Sequence, residues 1–135
     1  MNKITLRNAL IVFGCYWLSK WVWFPIELIM ARITSGIIYG GQLGALLMYA
    51  VDTIPLAIVA FGAGTLCVNF IELTSYKKWL CLLALLYPVL HFKGIHWVRT
   101  PDTLDLILQG MESIIPSIAC YVGGTIMANK LRKHT

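Results

Sequence analysis

The chain has 135 residues, 59% of them hydrophobic and 13% charged, with 11 Lys and Arg against 6 Asp and Glu for a net charge of +5. A soluble domain carries roughly a quarter charged residues, so a water-soluble fold with a mean hydropathy of +0.75 would expose more apolar surface than water tolerates. The bases punctuate apolar runs in short clusters, a distribution that argues against nucleic acid as partner and for a lipid bilayer.

The first predicted span covers residues 8–30, is interrupted by Lys20 and ends near Glu27 and Arg32. Trp17, Trp21, Trp23 and Phe24 crowd its second half, where aromatic rings favour the headgroup level. The run Val12-Phe13-Gly14-Cys15 loosely resembles a bacterial lipoprotein cleavage site, but few apolar residues precede it and the apolar run continues past it. An uncleaved first helix is expected.

Residues 33–71 contain a single charge, Asp52, and fit either one long helix or two short ones turning at Asp52-Thr53-Ile54-Pro55. Charge decides between them. Four spans in all put Lys3, Arg7, Lys77, Lys78, Lys130, Arg132 and Lys133 on one side, whereas five would divide them. The second span is therefore 43–71. Before it, Gly36, Gly40 and Gly44 recur every fourth residue, which makes a close-packing face if 34–41 is helical and a flexible loop if it is not. The third span, 79–97, contains Pro88 and exits into Arg99, Asp102 and Asp105. The fourth, 106–128, carries Glu112 and Pro116 in its first half and ends in a basic tail. The expected fold is all-α, a polytopic integral membrane protein of four transmembrane helices forming a single domain. Both termini are expected on the cytoplasmic side of a bacterial inner membrane.

The second and fourth spans share an ordered pattern. Asp52-Thr53-Ile54-Pro55 is followed by Gly64-Thr65-Leu66, and Glu112-Ser113-Ile114-Ile115-Pro116 by Gly124-Thr125-Ile126. Trp17-Leu18 before Phe24-Pro25 and Trp79-Leu80 before Tyr87-Pro88 give a fainter echo in the first and third. Two duplicated parallel helical hairpins explain both; chance matching in an apolar sequence is the alternative.

Ionisable groups inside spans are costly and therefore candidates for function. Lys20, Asp52, His91 and Glu112 all fall in the outer half of the expected bundle and form one candidate polar cluster. Desolvation favours the protonated carboxylates and a nearby lysine opposes it, so such a cluster suits proton or cation handling. Pro55 and Pro116 are expected to break the helix ladder beside each acid and free carbonyls to line a cavity. The plainer account is helix pairing by Lys20 with an acid, and snorkelling near span ends. His91 and His96 are five apart and point to different helix faces, so they do not share a metal or haem. Cys15, Cys67, Cys81 and Cys120 include no C-x-x-C and read as small buried residues. No nucleophile elbow, zinc motif or phosphate loop occurs, so no catalytic residue, metal or cofactor is assigned.

Two functional classes follow. The favoured one is a non-catalytic membrane subunit that stabilises or regulates a homo-oligomer or a complex with other membrane proteins. The other is a small oligomeric transporter or channel that uses Asp52 or Glu112 in a shared pathway.

Overall fold

The computed structural model describes residues 2–34, 42–91 and 103–135. Four helices account for nearly all of them: α1 (Lys3–Thr34), α2 (Gln42–Phe70), α3 (Tyr76–His91) and α4 (Thr103–His134), with no strand among the described residues. At ~1.5 Å per residue, α1 and α4 with 32 residues and α2 with 29 exceed a hydrocarbon core of ~30 Å. Three stretches, Lys3–Ile33, Tyr49–Phe70 and Leu106–His134, are long and apolar enough to cross a membrane. α3 has 16 residues, about 24 Å by the same rise. The rest of the expected third span lies outside the described residues, as do Gly36, Gly40 and the choice between loop and helix before α2.

Each helix contains one proline: Pro25, Pro55, Pro88 and Pro116. The ladder bond that Pro55 and Pro116 each forfeit interrupts neither helix: α2 and α4 run through both. The reason is the solvent. A proline forfeits one N–H and its i−4 bond, but in hydrocarbon an unwound turn would strand several more polar groups with no water to receive them. The bond each proline cannot make is the one to the carbonyl four residues back, Val51 in α2 and Glu112 in α4. Likewise α2 passes Asp52 as a single helix.

Named contacts give the helix directions. Arg7 of α1 meets Glu72 just beyond α2 at 3.6 Å, and a groove between the same helices is lined by Cys15 and Val22 with Leu66 and Val59 in reverse order. α1 and α2 are thus antiparallel. α3 and α4 are antiparallel too: Arg132 lies over the Tyr76 ring at one end, and Leu85 shares a groove with Ser117 and Ile118 further along. α2 and α4 run parallel, since Tyr49 and Thr53 share a groove with Leu108 and Met111 while Gly64 packs on Cys120 and Gly124. This is the most extensive pairing in the bundle. Residues 71–75 connect α2 to α3 through a turn in which the Ser75 N–H donates to the Glu72 carbonyl at 3.2 Å.

The core is a column of Val12, Tyr16, Leu56, Leu80, Leu83 and Tyr87, all essentially inaccessible. On the outside Leu10, Trp21, Ile58, Val89 and Ile118 are each more than half exposed, one or more from every helix. A bundle apolar inside and out is what lipid, rather than water, requires. Trp23, expected among the aromatics at the headgroup level, packs in the core, as does Trp79. Both lie on the inward stripe of their helices, which outweighs the aromatic preference for the headgroups.

Candidate functional site

The tight pairing of α2 with α4 begins with glycine. A Cβ on Gly64 would run into the Cys120 carbonyl and come within 3.1 Å of the Gly124 nitrogen, and a Cβ on Gly124 would strike the Leu80 side chain and lie 3.1 Å from the Gly64 carbonyl oxygen. Backbone therefore touches backbone, as small residues permit in lipid-embedded pairs. Thr65 and Thr125, the residues that follow, turn their hydroxyls back on their own helices and donate to the Gly62 and Tyr121 carbonyls at 2.7 and 2.8 Å. Neither hydroxyl needs a partner across the interface, which lets the two backbones close.

This contact sets the level of the acids. Asp52 lies twelve residues before Gly64, and Glu112 twelve before Gly124. In a parallel pair the two carboxylates are then carried to one level, ~18 Å along the helices from the glycines. The shared groove of Tyr49 and Thr53 with Leu108, Met111 and Ile115 brackets that level independently. Glu112 and Ser113 are buried, as is Thr53, and Asp52 is partly buried. Sequence reasoning had noted Thr53 and Ser113 only as repeat matches. Their burial beside the acids makes them part of the polar level, and a hydroxyl adjacent to each acid was the available signal.

Lys20 and His91 occupy less central places. Leu80 against Gly124 in the antiparallel α3·α4 pair carries the backbone of His91, the last residue of α3, to the level of Ser113. Ser19, beside Lys20, reaches Tyr87, one turn short of His91. The Lys20 ammonium stands 4.3 Å above the Trp23 ring, a cation–π contact. So Asp52, Glu112 and the His91 backbone share a level, and Lys20 is rooted well below it: the groove that sets Cys15 by Leu66 and Val22 by Val59 places Lys20 near Phe61, ~13 Å along α2 from Asp52. Gly44 is buried on α2, and its fellow glycines 36 and 40 fall outside the described residues.

No protein-family model, curated protein or solved structure matches the chain. Its chemistry has to be read from its own side chains. Beyond the acid level, three polar features stand out. Ser19 donates to the Tyr16 carbonyl at 2.6 Å and lies 2.7 Å from the Tyr87 hydroxyl. Serine has one hydrogen, so Tyr87 is the donor in the second bond, and the Tyr16 ring packs edge-on against Tyr87 at 5.2 Å. Cys15 of α1 and Cys67 of α2 are in thiol–thiol hydrogen-bond contact with Cys120 nearby, all three buried, while Cys81 is exposed. Asn8 is 1% exposed and its Oδ1 accepts no hydrogen bond. Among the described residues no group of three His, Cys, Asp or Glu could hold a metal ion.

Proposed function

We propose that this chain is a non-catalytic membrane subunit, four helices crossing a bacterial inner membrane with both termini in the cytoplasm, that stabilises or regulates a homo-oligomer or a larger membrane complex. One observation carries the reading: α2 and α4 meet backbone to backbone at Gly64 and Gly124, with Leu80 filling the remaining space. A route for a solute through a single copy has no room at that depth. The apolar outer faces of all four helices are then the surfaces left for partners, and such helix association rests on packing rather than on a water-driven effect.

A second reading keeps the polar level for work. Asp52, Thr53, Glu112 and Ser113 gathered at one depth suit a shared pathway in a small oligomeric transporter or channel. Asp52→Asn separates the two. Loss of a measured proton or cation flux with assembly intact favours transport and sinks the subunit reading. Loss of co-purification from a mild detergent extract, with no flux in the unaltered protein, favours the subunit. Topology is tested by labelling Ser75→Cys and Thr103→Cys variants from either side. Reaction of position 75 from the outside would overturn the four-span arrangement.

A further inference from the structure

The charge of the molecule is concentrated at one end. Arg7 pairs with Glu72 at 3.6 Å, the Arg132 guanidinium donates to the Leu73 carbonyl at 3.4 Å, and the same group lies 5.1 Å from the centre of the Tyr76 ring. These contacts bring the start of α1, the 71–75 turn and the end of α4 together. Lys3, Arg7, Lys77, Lys78, Lys130, Arg132 and Lys133 are therefore neighbours on this end, all exposed, with Glu72 as the one acid among them. That is a net +6 at this end in a chain of net +5, so the rest sums to −1.

We propose that this end is a binding surface for the phosphate headgroups of anionic phospholipids. The inference rests on the membrane-spanning reading and adds the chemistry of the lipid. Depth is the first argument. Ile4, Leu6, Leu10 and Phe70 are exposed beside or within about two turns of the bases, so the charges sit where an apolar belt ends and headgroups begin. Lysine stems lie along such a belt with the ammonium at the phosphates, and juxtamembrane basic clusters attract anionic lipid strongly at that depth. Geometry is the second. Arg132 is already held by one carbonyl and one ring, which leaves the rest of its planar fork to receive a phosphate at little cost in side-chain freedom. An acidic segment of a protein would need to reach into the headgroup layer to use the same bases, whereas lipid phosphates are already there.

The test uses the full chain reconstituted in vesicles of about four parts phosphatidylcholine to one part phosphatidylglycerol. Spin-labelled versions of each lipid report the fraction immobilised at the protein. Phosphatidylglycerol should be preferred about five-fold, the ratio one such phosphate–base contact supplies. The preference should fall towards unity in molar salt and in Lys130→Gln/Arg132→Gln/Lys133→Gln, and survive in Arg132→Lys combined with Lys130→Arg and Lys133→Arg. The salt series on the unaltered protein stands even if the glutamine variant fails to fold. Equal immobilisation of both lipids overturns the proposal and leaves the patch to an acidic protein partner. A preference untouched by salt and by the glutamine variant also overturns it. Greater loss with phosphate than with chloride at matched ionic strength would reassign the surface to a soluble phosphate. Failure to enter vesicles at all removes the membrane reading, and this proposal with it.

Discussion

Gly64 and Gly124, sixty residues apart in sequence, lie against each other with no side chain between them: the Gly64 carbonyl faces the place a Cβ on Gly124 would take. They are the matching glycines of the two Gly-Thr-aliphatic segments. Parallel helices that carry the same Gly-Thr-aliphatic segment can bring equivalent glycines to one level. Antiparallel helices would have matched them only by accident.

That contact predicts a sharp contrast among glycines. Gly64→Ala should destabilise the bundle by about 2 kcal/mol or more, since its Cβ meets rigid backbone at Cys120. Gly124→Ala should cost less, because Leu80 is a side chain that can shift. Gly62→Ala, with nothing within 4 Å, should be neutral or stabilise α2 by up to about 1 kcal/mol through helix propensity. Thermal unfolding in one detergent, run on all three, checks the order. Equal destabilisation at Gly62 and Gly64 would contradict the packing.

How far this was readable beforehand differs by feature. Helix positions follow from runs of apolar residues, whose length the bilayer dictates, and α2 was legible as one helix because the bases at 3–7, 77–78 and 130–133 demand an even number of crossings. The acids at 52 and 112 were legible because charge in hydrocarbon is rare. Their common half of the bundle was expected from four spans, which set α2 parallel to α4; the Gly64–Gly124 backbone contact that fixes their register was not, since composition does not report contacts between helices. Pro55 and Pro116 were legible as missing ladder bonds, while the continuity of α2 and α4 through them rests on the cost of unwinding backbone in hydrocarbon. The burial of Trp23 was not legible from its residue type, because its helix face decides it.

Tyr87 and Ser19 form a buried link between α3 and α1, and its directionality makes a further prediction. Tyr87 donates to Ser19, and Ser19 to the Tyr16 carbonyl. Tyr87→Phe removes a donor but leaves Ser19 satisfied through its other bond, so a loss of about 1 kcal/mol is expected. Ser19→Ala leaves a buried phenol hydroxyl to find a new partner and should cost more, about 1–3 kcal/mol. In the double variant the loss should fall short of the sum. A strictly additive cycle in denaturation midpoints would mean that the hydroxyls do not interact.

Asn8 presents the reverse situation. Its amide oxygen is enclosed and accepts nothing, while the neighbouring Arg7 is spent on an exposed pair with Glu72. An unsatisfied buried acceptor costs about 1–3 kcal/mol, so Asn8→Leu, close in volume and free of polar atoms, should raise the unfolding temperature. Glu72→Gln, by contrast, should change stability by no more than about 0.5 kcal/mol, because both members of its pair are about half exposed and solvent-screened. Destabilisation by Asn8→Leu would show that the amide has a partner it needs, such as an ordered water.

The thiol pair tests the register of α1 on α2. Cys15 and Cys67 are in contact although 52 residues separate them in sequence, so one mercuric ion should bridge both sulfurs, each losing its proton to the buffer. The bridged chain should gain the mass of one mercury less two hydrogens and protect two cysteines from alkylation. Cys81, exposed on α3, should remain open to a lipid-soluble alkylating agent. Cys120 stands near both thiols, so Cys120→Ser is needed to show that the bridge uses the 15–67 pair: the bridge should survive there and vanish when Cys15→Ser is added to it. Since a slip of two residues along either helix would turn one thiol away from the other, absence of the bridge in Cys120→Ser would mean that α1 and α2 meet in a different register. The parallel packing of α1 on α3 that brings Ser19 to Tyr87 would then have to be redrawn with it.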